Sequence, residues 1–173
     1  MLVVAATERE LASVHGDVFA CGVGPIEAAV QTSRALATRT PDAVLHIGIA
    51  GGRGLDPLTV VLGSVSVYAD VSAAIPVVDR VEPDGALLQR VRGLLPEARV
   101  LPIGTSAAVD GASECDVEAM EGFGVLRACA LAGVPAVELR VISNDPGESD
   151  RSKWRFDEAF AVLGDAVARV LSA

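Results

Sequence analysis

Ala43-Val-Leu-His-Ile-Gly-Ile49 is a near-continuous apolar run that opens directly into Ala50-Gly-Gly52. A run of that length fits a strand buried on both faces, with a tight glycine loop at its carboxyl end. On either side, β-branched runs alternate with amphipathic stretches, the pattern of an α/β domain. Residues 2–6 and 17–23 read as strands, with a short helix or turn over residues 8–14 between them. Pro25 suits the first turn of a helix running to about Arg39, with Ile26, Ala29, Val30, Ser33, Leu36 and Ala37 along one face. Residues 63–70 alternate as a strand, 86–95 read as a helix and 99–103 as a strand. A helix from about Met120 stops at Gly133, with Pro135 just beyond. Residues 136–143 form a further strand. A helix over residues 156–171 closes the chain, with Phe160, Leu163, Val167 and Val170 on its buried face. No repeat or linker interrupts residues 1–173, so a single domain is expected.

Hydrophobic residues make up 51 % of the chain but aromatics only 3 %. The core must be built from Ala, Val, Leu and Ile, which suits helices packed closely on a sheet. No apolar run approaches the length of a membrane span, and the N-terminus lacks a basic segment followed by an apolar one. A soluble, cytoplasmic chain is expected, with no membrane partner. Cys21, Cys115 and Cys129 are scattered without metal-ligand spacing and read as reduced thiols. Neither a metal nor a cofactor is expected. The net charge of −9 offers no footprint for a phosphate backbone, which argues against nucleic acid as a partner. The ligand should be small, and any anionic part of it must be met by local arginines.

In open α/β sheets, ligands sit beyond the strand ends. Three loops qualify: Thr7-Glu8-Arg9-Glu10, Gly22-Val-Gly24 and Gly48-Ile-Ala-Gly51-Gly52. The second is no dinucleotide fingerprint, because Glu27 replaces the third glycine and the helix opens with Pro25. Taken alone, these glycines read equally as tight turns. Glu118 and Glu121 flank Met120 at an expected helix start, where unpaired amides favour a carboxylate; ordinary surface acids fit that pattern too. Arg140 lies inside the apolar stretch Glu138-Leu-Arg140-Val-Ile-Ser143-Asn144-Asp145. A buried Arg needs a carboxylate or a ligand close by, in a structural ion pair or in a site. His15 reads as a loop residue and His46 as a hydrogen-bonded core histidine.

Together these pieces resemble the purine nucleoside phosphorylase and nucleosidase superfamily. The resemblance is carried, in order, by Ala5-Ala-Thr-Glu-Arg-Glu10-Leu, Cys21-Gly-Val-Gly-Pro-Ile-Glu-Ala-Ala29, Ile47-Gly-Ile-Ala-Gly-Gly52, Gly63-Ser-Val, Val117-Glu-Ala-Met-Glu121 and Arg140-Val-Ile-Ser-Asn144. It spans nearly the whole chain. Within the superfamily the sequence is most similar to the futalosine hydrolases, through Val-Glu-Ala-Met-Glu-Gly, the Ser-Asn pair and Arg151-Ser-Lys-Trp154; the methylthioadenosine/S-adenosylhomocysteine nucleosidases come next.

The resemblance implies a three-layer αβα sandwich with a mixed central sheet, of the phosphorylase/hydrolase type. It implies cleavage of a purine nucleoside, futalosine giving hypoxanthine and dehypoxanthine futalosine in menaquinone biosynthesis. Glu10 would orient and deprotonate the attacking water. Glu121 would hold the ribose hydroxyls, with Met120 under the sugar and Glu118 near the base or sugar. The backbone of Ile49 and Ala50 would line the ribosyl pocket, and Arg140 and Ser143 would hold the base-side residue. Trp154 and Phe156 would form a lid over the 5′ substituent. Futalosine carries a carboxylated aromatic group there, for which Arg53, Arg80, Lys153 and Arg155 are candidate partners. Relatives form dimers, so a homodimer or higher homo-oligomer is expected.

Asn144 is the informative departure. Adenine-directed relatives have Asp at the matching position, whereas an amide can donate to a 6-oxo group. Asp145 would bring a carboxylate to the base if the turn were shifted by one residue. A phosphorylase is the rival reading, but the two glutamates of the first loop would repel phosphate. A nucleoside-binding remnant is the non-enzymatic alternative, since the stretch between Glu10 and Gly22 is short for the superfamily.

Overall fold

A computed structural model describes residues 1–109 and 113–173. Among the described residues eight strands form one mixed sheet: β1 (Leu2–Ala5), β2 (Val18–Ala20), β3 (Val44–Gly52), β4 (Val60–Tyr68), β5 (Arg80–Val81), β6 (Arg99–Thr105), β7 (Val117–Ala119) and β8 (Ala136–Asn144). With them come the α-helices α1 (Glu8–Leu11), α2 (Pro25–Thr38), α3 (Gly85–Leu94), α4 (Gly122–Ala132) and α5 (Phe156–Leu171), and a short 3-10 turn at Arg151–Lys153. The N-terminal half of β3 runs parallel to β1 on one side and to β8 on the other. Its C-terminal Gly51 and Gly52 leave that frame and pair antiparallel with β7. β7 pairs with β6, β6 with β4 and β4 with β8, so five strands close into a ring around Ala50, Val61, Ile103, Val117, Ala119 and Ile142.

The side-chain alternation of the strands sorts the remaining core into two layers. Val3, Ala5, Leu45, Ile47, Val137, Leu139 and Val141 face α3 and α5, whose Leu87, Val91, Leu163 and Val167 cover them. Leu2, Val4, Val44 and Ala136 face α2 and α4. The three-layer arrangement therefore matches the expectation. Cys21 and Cys129 are buried in this second layer, and burial first of all pushes both thiols up to about 12, so they are inert core thiols. Among the described residues no helix is long and apolar enough to cross a membrane.

Three details differ from the sequence expectation. α2 buries Pro25, Ala28, Thr32 and Ala35, while Ile26 and Val30 are exposed. The reason is close packing: a Cβ at Gly124 of α4 would strike the Pro25 carbonyl oxygen and approach the Ala29 nitrogen at 3.1 Å, so only small residues fit that crossing. Val117–Ala119 is a strand and the helix starts only at Gly122, which puts Glu118 on the sheet. Phe160 does not join the core of α5, which is formed by Ala159, Leu163, Ala166, Val167 and Val170.

Gly124→Val should destabilise the protein. Forcing a branched side chain into a close backbone contact costs on the order of 1–3 kcal/mol, against a gain of a few tenths in helix propensity. Chemical denaturation should register the loss, and an unchanged midpoint would mean that α2 and α4 can separate freely.

Candidate active site

The carboxyl ends of β1, β3 and β8 open onto one cavity of roughly 350 Å³. Glu10, Ile49, Ala50, Glu118, Met120, Glu121, Ser143, Asn144, Trp154 and Phe156 all line it, which brings together every expected site residue except Arg140. The site is built from the backbone outward. Thr7 caps α1, and the Glu10 carboxylate closes the capping box by accepting from the Thr7 N–H and hydroxyl, both at 2.9 Å. Its other oxygen faces the Ile49 N–H at 3.4 Å. Glu121 precedes α4 and accepts from the Gly24 N–H at 3.2 Å; Gly24 adopts φ 94°, which favours glycine. Glu118 accepts from Arg53 and from the Ser113 N–H.

Arg140 lies beneath this floor, with no exposed surface. It does not hold the base-side residue. Its Nε donates to Glu138 at 2.9 Å, and one Nη lies 3.5 Å from the Glu121 carboxylate. Gly48 faces Arg140 across the β3–β8 ladder, and the space a Cβ would occupy there is filled by the guanidinium and the Glu10 carboxylate. Burial works against the charge on Arg140, but Glu138, Glu121 and Glu10 outweigh it and hold the guanidinium protonated.

His46 completes the cluster. Its Nδ1 lies 3.0 Å from the Val4 carbonyl, which only accepts, and its Nε2 lies 2.6 Å from Arg140, which only donates. The ring is therefore neutral with the proton on Nδ1. Burial, and then Arg140, hold its pKa well below the usual histidine range, in keeping with that state. The Glu138 carboxylate also receives the Ser66 hydroxyl at 3.0 Å and lies against Gly122 at the start of α4, where the helix dipole favours it.

Ser143 and Asn144 line the cavity at the end of β8. The Asn144 amide nitrogen donates to the Asp145 carbonyl at 3.2 Å, and its oxygen lies 2.7 Å from the Ser143 hydroxyl. Since the carbonyl can only accept, the amide is fixed: its oxygen takes the Ser143 hydrogen, and its second N–H is left for a ligand. Asp145 is exposed, spends its carboxylate on the Gly147 N–H at 2.7 Å and does not line the cavity. The turn is not shifted.

The aromatic rim is larger than the sequence suggested. Trp154 meets Phe156 edge to face at 5.4 Å, and Phe156 lies 6.4 Å from Phe160, all three on the cavity. Arg53, Arg80, Lys153 and Arg155 do not line it; they pair with Glu118, Asp79, Glu148 and Glu158. The one cationic residue among the described lining residues is Arg9, which the sequence reading missed. Its signal was the Thr-x-x-Glu spacing, which turns Glu10 back over the cap and leaves Arg9 to project from the same turn.

A glycine-walled, acid-lined cavity at the strand ends of an αβα sandwich defines a phosphorylase-type protein, and the family model described as the phosphorylase superfamily matches residues 11–173. The chain belongs to that superfamily. It is 35 % identical to a futalosine hydrolase of Streptomyces coelicolor over 184 residues, covering 89 % of this chain and 77 % of that one. It is 32 % identical to a 5′-methylthioadenosine/S-adenosylhomocysteine nucleosidase of Chromohalobacter salexigens, covering 83 % and 73 %. The structure of a futalosine hydrolase of Helicobacter pylori superposes with a TM-score of 0.89 over 99 % of this chain and 96 % of that one, at 16 % identity, so that likeness bears on the fold.

Burial is the main influence on the Glu121 carboxyl and raises its pKa; Arg140 and the Gly24 N–H offset this only in part. A carboxyl with a raised folded-state pKa contributes stability below its unfolded pKa, and that stability is lost as pH rises through the folded value. Glu121→Gln should therefore melt higher than wild type at about pH 7–8, with the gap closing toward about pH 4. A lower Tm for the variant throughout that range would mean that Arg140 outweighs burial.

Proposed function

We propose that this chain hydrolyses the N-glycosidic bond of a 6-oxopurine nucleoside. Its substrate is futalosine and its products are hypoxanthine and dehypoxanthine futalosine, a step of menaquinone biosynthesis. The observation that carries this reading is the convergence of Glu10, Glu118, Glu121 and the Asn144 amide on one cavity. As the base departs, the ribosyl group becomes cationic, and carboxylates fixed around it stabilise that charge. Glu121 accepts from the ribose hydroxyls, with Met120 under the ring and the Ile49-Ala50 backbone along its side. Glu10 takes a proton from water as the water oxygen bonds to C1′, and the glycosidic electron pair leaves with the base. The second N–H of Asn144 stabilises the departing 6-oxopurine, which gains a proton from solvent.

The futalosine hydrolase relatives support the substrate, and the Chromohalobacter relative supports an adenine nucleoside as the alternative. Asn144 favours the first. An adenine 6-amino group needs an acceptor, and turning the amide over to supply one would set its oxygen against the Asp145 carbonyl. A phosphorylase fits poorly, because phosphate would enter beside the carboxylates. The protein acts in the cytoplasm as a homodimer on this reading. Val23 and Val109 on the cavity rim and Ile26 and Val30 of α2 expose an apolar surface that a second copy would cover. An Ile26→Asp variant with wild-type elution on size exclusion would remove that interface from consideration.

Base release should run at full rate without phosphate, and Glu10→Gln should lower kcat by ~10²–10⁴. A sugar 1-phosphate product would sink the hydrolase reading. Asn144→Asp should weaken futalosine turnover and raise turnover of methylthioadenosine, shifting the preference by ~10–100-fold, as a buried mismatch costs about 1–3 kcal/mol. If Asp145→Asn abolished activity and Asn144→Asp did not, Asp145 would become the residue that meets the base.

A further inference from the structure

We propose that Arg9, with Phe156 and Phe160, determines specificity at the mouth of the cavity, Arg9 binding a carboxylate on the 5′ side of the nucleoside and the two rings packing the group that carries it. The inference rests on the nucleosidase reading of the same cavity. Three observations carry it.

Charge along the cavity is sorted. Glu10, Glu118 and Glu121 are all buried and line it, while Arg9, its one cation among the described lining residues, is largely exposed. An anionic ligand group set among the glutamates would be repelled, so Arg9 is the place left for it. Aromatic side chains are sorted in the same way. Of six in the chain, Trp154, Phe156 and Phe160 all lie on this cavity. Rings that pack on one another and on a guanidinium suit a flat, unsaturated group.

The third observation is the state of Arg9 itself. Its guanidinium lies over the Phe160 ring at 4.8 Å, which orients it. Its hydrogen bond goes to Asp157 at 2.7 Å, and the two side chains are 61 % and 90 % exposed. An ion pair in that setting is weak and readily exchanged. Asp157 thus occupies the cation much as a ligand carboxylate would, and the planar fork of a guanidinium can present two parallel N–H groups to the incoming carboxylate.

Futalosine and inosine separate the subsite from the reaction. They share ribose and hypoxanthine, and inosine ends at its 5′ hydroxyl without the aromatic carboxylate. Arg9→Ala should raise KM for futalosine by ~10-fold or more, leave its kcat within about twofold, and change inosine kinetics far less. Added salt should raise the wild-type KM for futalosine more than that for inosine. Asp157→Asn, which removes the competing carboxylate, should lower the futalosine KM. Lys153→Ala, whose side chain pairs with Glu148, should leave it unchanged. Equal losses on both substrates in Arg9→Ala, or no loss on either, would overturn the subsite while leaving the nucleosidase intact. A wild-type protein that cleaved inosine or methylthioadenosine and not futalosine would overturn the substrate reading itself.

Discussion

The structure depends on where a single buried charge can be held. Arg140 sits in the middle of β8 with none of its surface in water, and burying a guanidinium is tolerable only if its donors are met by acceptors. The ladder between β3 and β8 arranges this: it puts His46 opposite Glu138 and Gly48 opposite Arg140. His46 then accepts from one side, Glu138 takes the Nε–H, and the missing side chain of Gly48 lets the guanidinium reach toward Glu10. Removing Glu138, the carboxylate bonded most closely to Arg140, costs about 3–5 kcal/mol, because the charge that remains has no water to turn to. The same constraint fixes the floor of the cavity. Glu10 arrives on α1 and Glu121 on the turn before α4, and the charge beneath both is Arg140.

Much of this was legible in the sequence, and what was not follows a physical pattern. The buried strand at Ala43–Ile49 and the apolar stretch that became β8 were readable because each stays apolar over most of its length. Arg140 within that stretch announced that partners must exist. Their identity was hidden, since Glu10, His46 and Glu121 lie far apart in the chain and meet only through the register of the sheet. β7 was misread as a helix start because three residues hold no period; pairing with β3 and β6 is what makes it a strand. The wrong face of α2 was expected because Ile26 and Val30 are its most apolar residues. Closeness rather than hydrophobicity chose Ala28, Thr32 and Ala35, since Gly124 brings α4 almost onto the α2 backbone.

Adjacent residues do opposite work at the first loop. The Thr7 capping box draws the Glu10 carboxylate back over the start of α1 and turns it toward the buried end of the cavity. Arg9, one residue earlier, is left to project past the rim onto Phe160 and Asp157. A four-residue helix thereby delivers a carboxylate and a cation to the two ends of one cavity. Spacing shows the cap, but the direction of Arg9 depends on α5 having docked beside it.

The carboxylates explain why the cavity is kept so strictly framed. Glu121 is buried at a cost that Arg140 and the Gly24 N–H only partly offset. A protein selected for stability alone would put a neutral side chain there, as buried ion pairs are often matched or bettered by apolar packing. A carboxylate held unfavourably is, however, what a developing cation needs. It is desolvated and fixed in advance, and its interaction is strongest when positive charge appears beside it. The neutral tautomer of His46 serves the same end, for a protonated ring would set a donor against Arg140 and loosen the guanidinium from the two carboxylates above it. On the function proposed above, the cost of burying Glu121 and the stabilisation of a ribosyl cation are one property of the same buried cluster.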